Sequence, residues 1–172
     1  VSTEVCANLI LSNDGRGVRD GSSKALSFPA DRSRFHQIRK KADLIVIGGN
    51  TARNEPYATT PLPLVVITRS AAIPELRNNS MATLVNASIA TVLSSLRNNY
   101  SAILIEAGPE LVQQALSEKL IDTLYLSISE KSGDLDAPRY ELSELVKNYQ
   151  LTEHSAGPGG ELRTYTLVAP LP

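Results

Sequence analysis

One stretch constrains this chain more than any other: residues 101–116, SAILIEAGPELVQQAL. Ala102 to Ile105 form a short and almost unbroken apolar run, the pattern of a strand buried on both faces and therefore central in a sheet. Ala107 and Gly108 break the run. Pro109 suits a first helical position, where no N–H is needed, and Glu110 complements the positive end of the helix that follows. A strand, a tight turn and a helix start result. Such a turn points unpaired backbone N–H groups at the mouth of the sheet, where a phosphate can be held, and leaves Glu106 at the carboxyl end of a central strand.

The same arrangement occurs earlier in ADLIVIGGNT. Leu44 to Ile47 are a second buried strand, Gly48-Gly49 turn the backbone, and Asn50 or Thr51 starts a short helix. Two such mouths on one sheet edge can grip the two ends of a dinucleotide. Between and around them the chain alternates strands with helices. Thr3 to Ser12 alternate as a first strand, and residues 13–17 (NDGRG) form a turn. Asp31 is expected to cap a helix with Phe35, Ile38 and Ala42 at helical spacing and Arg32, Arg34, Lys40 and Lys41 mainly in water. Leu64 to Thr68 and Thr83 to Asn86 are further strands. Ile89, Val92, Leu93 and Leu96 mark an amphipathic helix.

After a helix from Pro109 to Lys119 the pattern changes. Thr123 to Ile128, Tyr149 to Ser155 and Leu162 to Val168 follow with no long helix between them. Gly157-Pro158-Gly159-Gly160 joins the last two as a hairpin turn, since it lacks both the lysine and the helix of a phosphate-binding loop. The expectation is an α/β fold, residues 1–172 as a single domain, with a central mixed sheet ending in an antiparallel hairpin. Ser132 to Pro138 are expected to be a mobile loop.

Charge is nearly balanced, 17 Lys and Arg against 18 Asp and Glu, so no basic field recruits nucleic acid. The single cysteine, Cys6, excludes an internal disulfide and a multi-thiolate metal site, and is expected to be a buried, inert thiol. The single cysteine leads us to expect a reducing, cytoplasmic setting, and no stretch is long and apolar enough to span a membrane. The two histidines, His36 and His154, lie far apart and read as surface or structural residues, with no metal site expected.

SNDGRG at Ser12 to Gly17, the segment GSSKALSFPADRSRFHQIRKKADLIVIGGNT, and IEAGPEL before LIDTLYLSI together resemble the riboflavin-pathway pyrimidine reductases. The resemblance runs from about Leu9 to about Ser129. It implies a three-layer, dihydrofolate-reductase-like domain with a mostly parallel sheet of about nine strands. It also implies a homodimer that uses NADPH to reduce the ribosylamino group of a 5-aminouracil phosphate to a ribityl chain.

By the same resemblance Ser23, Arg39 and Glu106 fall on substrate positions. Ile10, Gly48, Thr51 and the turn Gly108, Pro109, Glu110 and Leu111 fall on cofactor positions, as does Glu55, which stands where the family has an aspartate. Three departures stand out. Ala25 replaces a tryptophan, Ala107 replaces the first glycine of a Glu-Gly-Gly motif, and no arginine follows Tyr57. Arg69-Ser70, at the end of the third strand, are the pair placed to hold the extra phosphate of NADPH.

Hydride transfer needs neither protein nucleophile nor metal, so the absence of a triad or histidine cluster is no obstacle. Asp14 either stabilises its turn or, in a cleft, stabilises the iminium-like centre that receives hydride. The His-x-Glu and Pro-Cys-x-x-Cys of the zinc deaminase often fused to such reductases are absent from the sequence. Two other readings remain: an NADPH reductase of a pterin-like heterocycle on the same fold, and a catalytically idle relative that binds nucleotide or protein.

Overall fold

Eight strands form one sheet in the computed structural model, which describes residues 2–169. They are β1 (Glu4–Leu11), β2 (Leu44–Gly48), β3 (Leu64–Ile67), β4 (Ala82–Val85), β5 (Ala102–Ile105), β6 (Thr123–Ser129), β7 (Tyr149–Gly157) and β8 (Gly160–Leu167). Their spatial order is β4-β3-β2-β5-β1-β6-β8-β7. The first six run parallel, β8 runs antiparallel to β6 and β7 antiparallel to β8, so the sheet is mixed as expected. The count is eight among the described residues, not nine. Every apolar run read from the sequence became a strand, and no ninth run existed to supply another.

Ala102–Ile105 lies between β2 and β1, with Ile103, Leu104 and Ile105 each no more than 1% exposed. Its helix, α4 (Pro109–Ser117), starts with Pro109 inside the first turn and buries Val112, Ala115 and Leu116. With α3 (Ile89–Leu96) and α5 (Leu142–Leu145) it belongs to the larger core, which includes Val5, Ala7, Leu9 and Leu11 of β1. The alternate residues of β1 face the other way, toward α1 (Pro29–Arg39). A second cluster, Ile45, Ile47, Leu64 and Val66 with Ala52 of α2 (Gly49–Asn54) and Tyr57, fills that side. The parallel strands are buried on both faces because helices cover both, and this is why they read as continuous apolar runs.

Three local expectations are corrected. Asp31 is not a cap: Phe28 takes the N-cap position of α1, and Asp31 sits buried in its first turn. Arg34 does not stay in water, since its guanidinium donates to the Ser127 hydroxyl (3.0 Å) and to the Arg163 carbonyl (3.1 Å). Residues 132–138 are tied down. Asp134 accepts from the backbone N–H groups of Asp20 and Gly21, Arg19 donates to the Ser132 carbonyl, and Arg16 donates to the Leu135 and Ala137 carbonyls. Among the described residues no helix is long and apolar enough to cross a membrane.

Candidate active site

The carboxyl ends of the parallel strands open into a cavity of about 1060 Å3. Its walls come from the ends of β2, β3, β4 and β5, from Asn8 to Ile10 of β1, and from the inner face of α1. The starts of α2 and α4 both face it, and neither has a side-chain cap. Backbone N–H groups are therefore left for a ligand at both mouths. The turn at Asn13 to Gly17 closes one side. Gly17 packs so close to α4 that a Cβ there would lie 2.4 Å from Pro109 Cγ, so only glycine fits.

Glu106 lies where the strand end reaches the cavity, 5% exposed, and its charge is compensated within the fold. Arg39 donates to it from Nε to Oε1 at 2.8 Å and from Nη2 to Oε2 at 2.7 Å, a two-pronged pairing. The Tyr57 hydroxyl donates to Oε2 at 2.6 Å. Burial first, and then the neighbouring carboxylate, push the Tyr57 phenol well above its usual pKa, so it remains a donor. Tyr57 is itself anchored by Asn79, whose Nδ2 donates to its carbonyl at 2.9 Å. Glu106 therefore both lines the cavity and has two partners within the fold.

Ser23 also lines the cavity, yet its hydroxyl and its backbone N–H are both given to Glu55, at 2.9 and 3.0 Å. Ser22 donates to the same carboxylate. Glu55 thus pins the loop before α1 against the end of α2. Ile10, Gly48, Thr51, Gly108, Pro109, Glu110, Leu111 and Arg69 all line the cavity.

Two expected residues stand apart. Asp14 is absent from the cavity wall, and its carboxylate accepts from the Ser12 hydroxyl (2.5 Å), the Gly133 N–H (2.9 Å) and Arg16 Nε (3.1 Å). Those bonds, the Ser12 one first, hold it well below the usual carboxylate range. Its hydrogen bonds are those of a residue that holds a turn. Ser70 is not on the wall either; its hydroxyl accepts from Arg53 Nη2 at 2.6 Å. Arg53, from the last turn of α2, was missed in the sequence and lines the cavity beside Arg69. Nothing local marks Arg53 or Tyr57, since only the packing of α2 against β3 brings them in.

The walls fit a nicotinamide dinucleotide. A Cβ built at Gly108 would meet no atom within 4 Å, so the approach to the α4 backbone is open to an elongated anion. Arg53 and Arg69 supply positive charge at the neighbouring mouth. Among the described residues no group of three His, Cys, Asp or Glu side chains could hold a metal ion.

A mixed sheet of this order, helices on both faces and a cavity across its carboxyl edge define an α/β domain of the dihydrofolate-reductase-like fold. The chain belongs to the family of the RibD C-terminal domain, whose model matches residues 3–158. It is similar to a pyrimidine reductase-like protein from Corynebacterium diphtheriae, at 22% identity and TM-score 0.73 over 98% of this chain and 93% of that one. RibD from Acinetobacter baumannii is similar at 16% identity and TM-score 0.75, over 98% of this chain but only 59% of RibD. Dihydrofolate reductase from Enterococcus faecalis, in complex with NADP(H), is similar at 12% identity and TM-score 0.72, over 97% of this chain and 99% of that one. At such identities the likeness establishes the fold. No curated protein sequence matches the chain.

Proposed function

We propose that this chain is an NADPH-dependent reductase that converts the ribosylamino group of a 5-aminouracil phosphate to a ribitylamino group, acting as a homodimer. The observation that carries the reading is the convergence of two uncapped helix starts and the Glu106–Arg39–Tyr57 cluster on one cavity, in a chain of this family. When bound, NADPH supplies hydride to the anomeric carbon of the ring-opened imine. A proton taken up at nitrogen balances the reaction, leaving the amine and NADP+.

The chain's own residues orient and exclude water. The N–H groups of Glu110 and Leu111 and the side chain of Thr51 would hold the diphosphate and ribose, with Arg53 and Arg69 on the extra phosphate. Ser23 and Arg39 would meet the substrate, and Glu106 would hold Arg39 in place while accepting from a substrate hydroxyl. Ala107, on the cavity wall, adds one methyl where the family has a glycine.

The test is to titrate NADPH and then follow its oxidation with the ribosylaminouracil phosphate. Binding and turnover are expected, and light scattering should give twice the chain mass. Binding without turnover on this substrate or on a dihydropterin would leave the idle relative as the better account.

A further inference from the structure

Asn79 is a buried polar side chain that the reaction as just described does not use. It is 8% exposed and absent from the cavity wall, between the single 3-10 turn at Pro74–Leu76 and β4. Its amide nevertheless has no spare hydrogen. Nδ2 donates to the Tyr57 carbonyl at 2.9 Å and to the Thr60 hydroxyl at 3.1 Å, while Oδ1 accepts from the Met81 N–H at 3.0 Å. The Met81 N–H can only donate and the Tyr57 carbonyl can only accept, so no flipped amide satisfies both. The backbone of Asn79 is held as well, its N–H donating to the Leu76 carbonyl and its carbonyl accepting from the Ala82 N–H.

What Asn79 anchors gives the contact its interest. Residues 55–63 connect α2 to β3 without regular secondary structure, so neither helix nor ladder fixes Tyr57. Asn79 grips this connection at two points, Tyr57 and Thr60. Ile73 and Leu76, just before it in the chain, pack with the Tyr57 ring in the smaller core cluster. At the far end of that ring the Tyr57 hydroxyl donates to Glu106 Oε2 at 2.6 Å, and the Arg39 guanidinium lies 5.8 Å from the ring centre. The ring is rigid and only two torsions separate it from its backbone, so a displaced carbonyl carries the hydroxyl with it. One unbroken series of bonds therefore runs from Asn79 through Tyr57 and Glu106 to Arg39.

We infer that Asn79 is a positioning residue for the substrate side of the cavity: acting through Tyr57, it sets where Glu106 and Arg39 stand without touching a ligand. This rests on the reductase reading of the cavity. Without Asn79 the buried Tyr57 carbonyl loses its donor, and the connection shifts toward water to recover one. The helix starts that face the cofactor lie outside the series, so the effect falls on the second ligand alone.

Asn79→Asp keeps the shape and the bond from Met81 and removes both donors. In steady-state rates with NADPH and the ribosylaminouracil phosphate, the substrate KM should rise about three- to ten-fold, with kcat and NADPH affinity within about two-fold. Combined with Tyr57→Phe, it should raise KM no further than the larger single effect, because both changes act on one hydroxyl. A purely structural Asn79 would lower the melting temperature and leave KM native in the folded variant, and that result overturns the inference. Thr60→Val frees one amide hydrogen without adding a charge, and it decides the matter if Asn79→Asp does not fold. Its KM should rise about two- to three-fold, and an unchanged KM overturns the inference. If the native chain does not oxidise NADPH with this substrate, the reductase reading fails on its own account. Thermal melts of the native, single and double variants, with whichever of the two changes folds, then decide Asn79. The loss in melting temperature of the double variant should fall short of the summed single losses, and a full sum overturns the inference.

Discussion

Arg39 and Glu106 meet across the cavity wall in a two-pronged ion pair, 2.8 and 2.7 Å, that joins the last turn of α1 to the end of the central strand. The pair is asymmetric. Glu106 is almost wholly buried while a quarter of the Arg39 side chain is exposed. The cluster therefore presents Arg39 to a ligand more openly than Glu106, though both line the cavity.

Glu106→Gln should consequently lower both stability and turnover. Losing one partner of a buried pair costs about 3–5 kcal/mol, and less here because Arg39 keeps some water. Tyr57→Phe removes one bond and leaves the ion pair, so a loss of about 1 kcal/mol is expected, with NADPH affinity unchanged. Thermal melts beside single-turnover rates check both. Turnover per folded Glu106→Gln molecule equal to the native value would remove Glu106 from the site.

Cofactor preference should depend on two arginines. Arg53→Ala and Arg69→Ala should each reduce the preference for NADPH over NADH by roughly ten-fold, the scale of one charge-assisted bond to phosphate. Titration of both nucleotides against each variant measures it. An unchanged ratio in both variants would show that the extra phosphate lies elsewhere.

Asp14→Asn should leave turnover at saturating substrate within about two-fold and lower the melting temperature. Its native pKa lies below that of the unfolded chain, so its bonds stabilise the fold above the ordinary carboxylate value near 3.9 and are lost as pH falls through the native one. The variant should accordingly show a weaker loss of stability on acidification. A large fall in turnover with an unchanged melt would show that Asp14 acts in the reaction.

Alkaline pH should destabilise the protein through Cys6 and Tyr149. Burial, and then Glu4, push the Cys6 thiol from 9.0 to about 12, and burial pushes the Tyr149 phenol, which donates to the Ile121 carbonyl, to about 12. Both are raised, so their contribution is complete below the unfolded values and declines as pH climbs toward 12. Cys6→Ala should flatten the stability profile above pH 9. At pH 8 the native thiol should react with disulfide reagents at least roughly a hundred-fold more slowly than free cysteine.

Strand positions and their helix starts were legible in residue order because they depend on neighbours along the chain. The apolar runs at Leu44, Leu64 and Ala102 specify strands covered on both faces, and Gly108-Pro109 specifies where α4 begins. Side-chain partnership was not legible. Asp31 looked like a cap because Asp favours that position, but Pro29 started the helix two residues earlier and carried the carboxylate into the wall beside Ser127, 96 residues away. Glu106 could be placed at a strand end from local pattern, whereas its pairing with Arg39, 67 residues distant, and Tyr57, 49 distant, exists only once β5 lies inside the sheet and α1 covers its face. Local propensity acts over a few residues. Charge compensation and cavity walls are made by contacts between elements, and only the tertiary structure decides those.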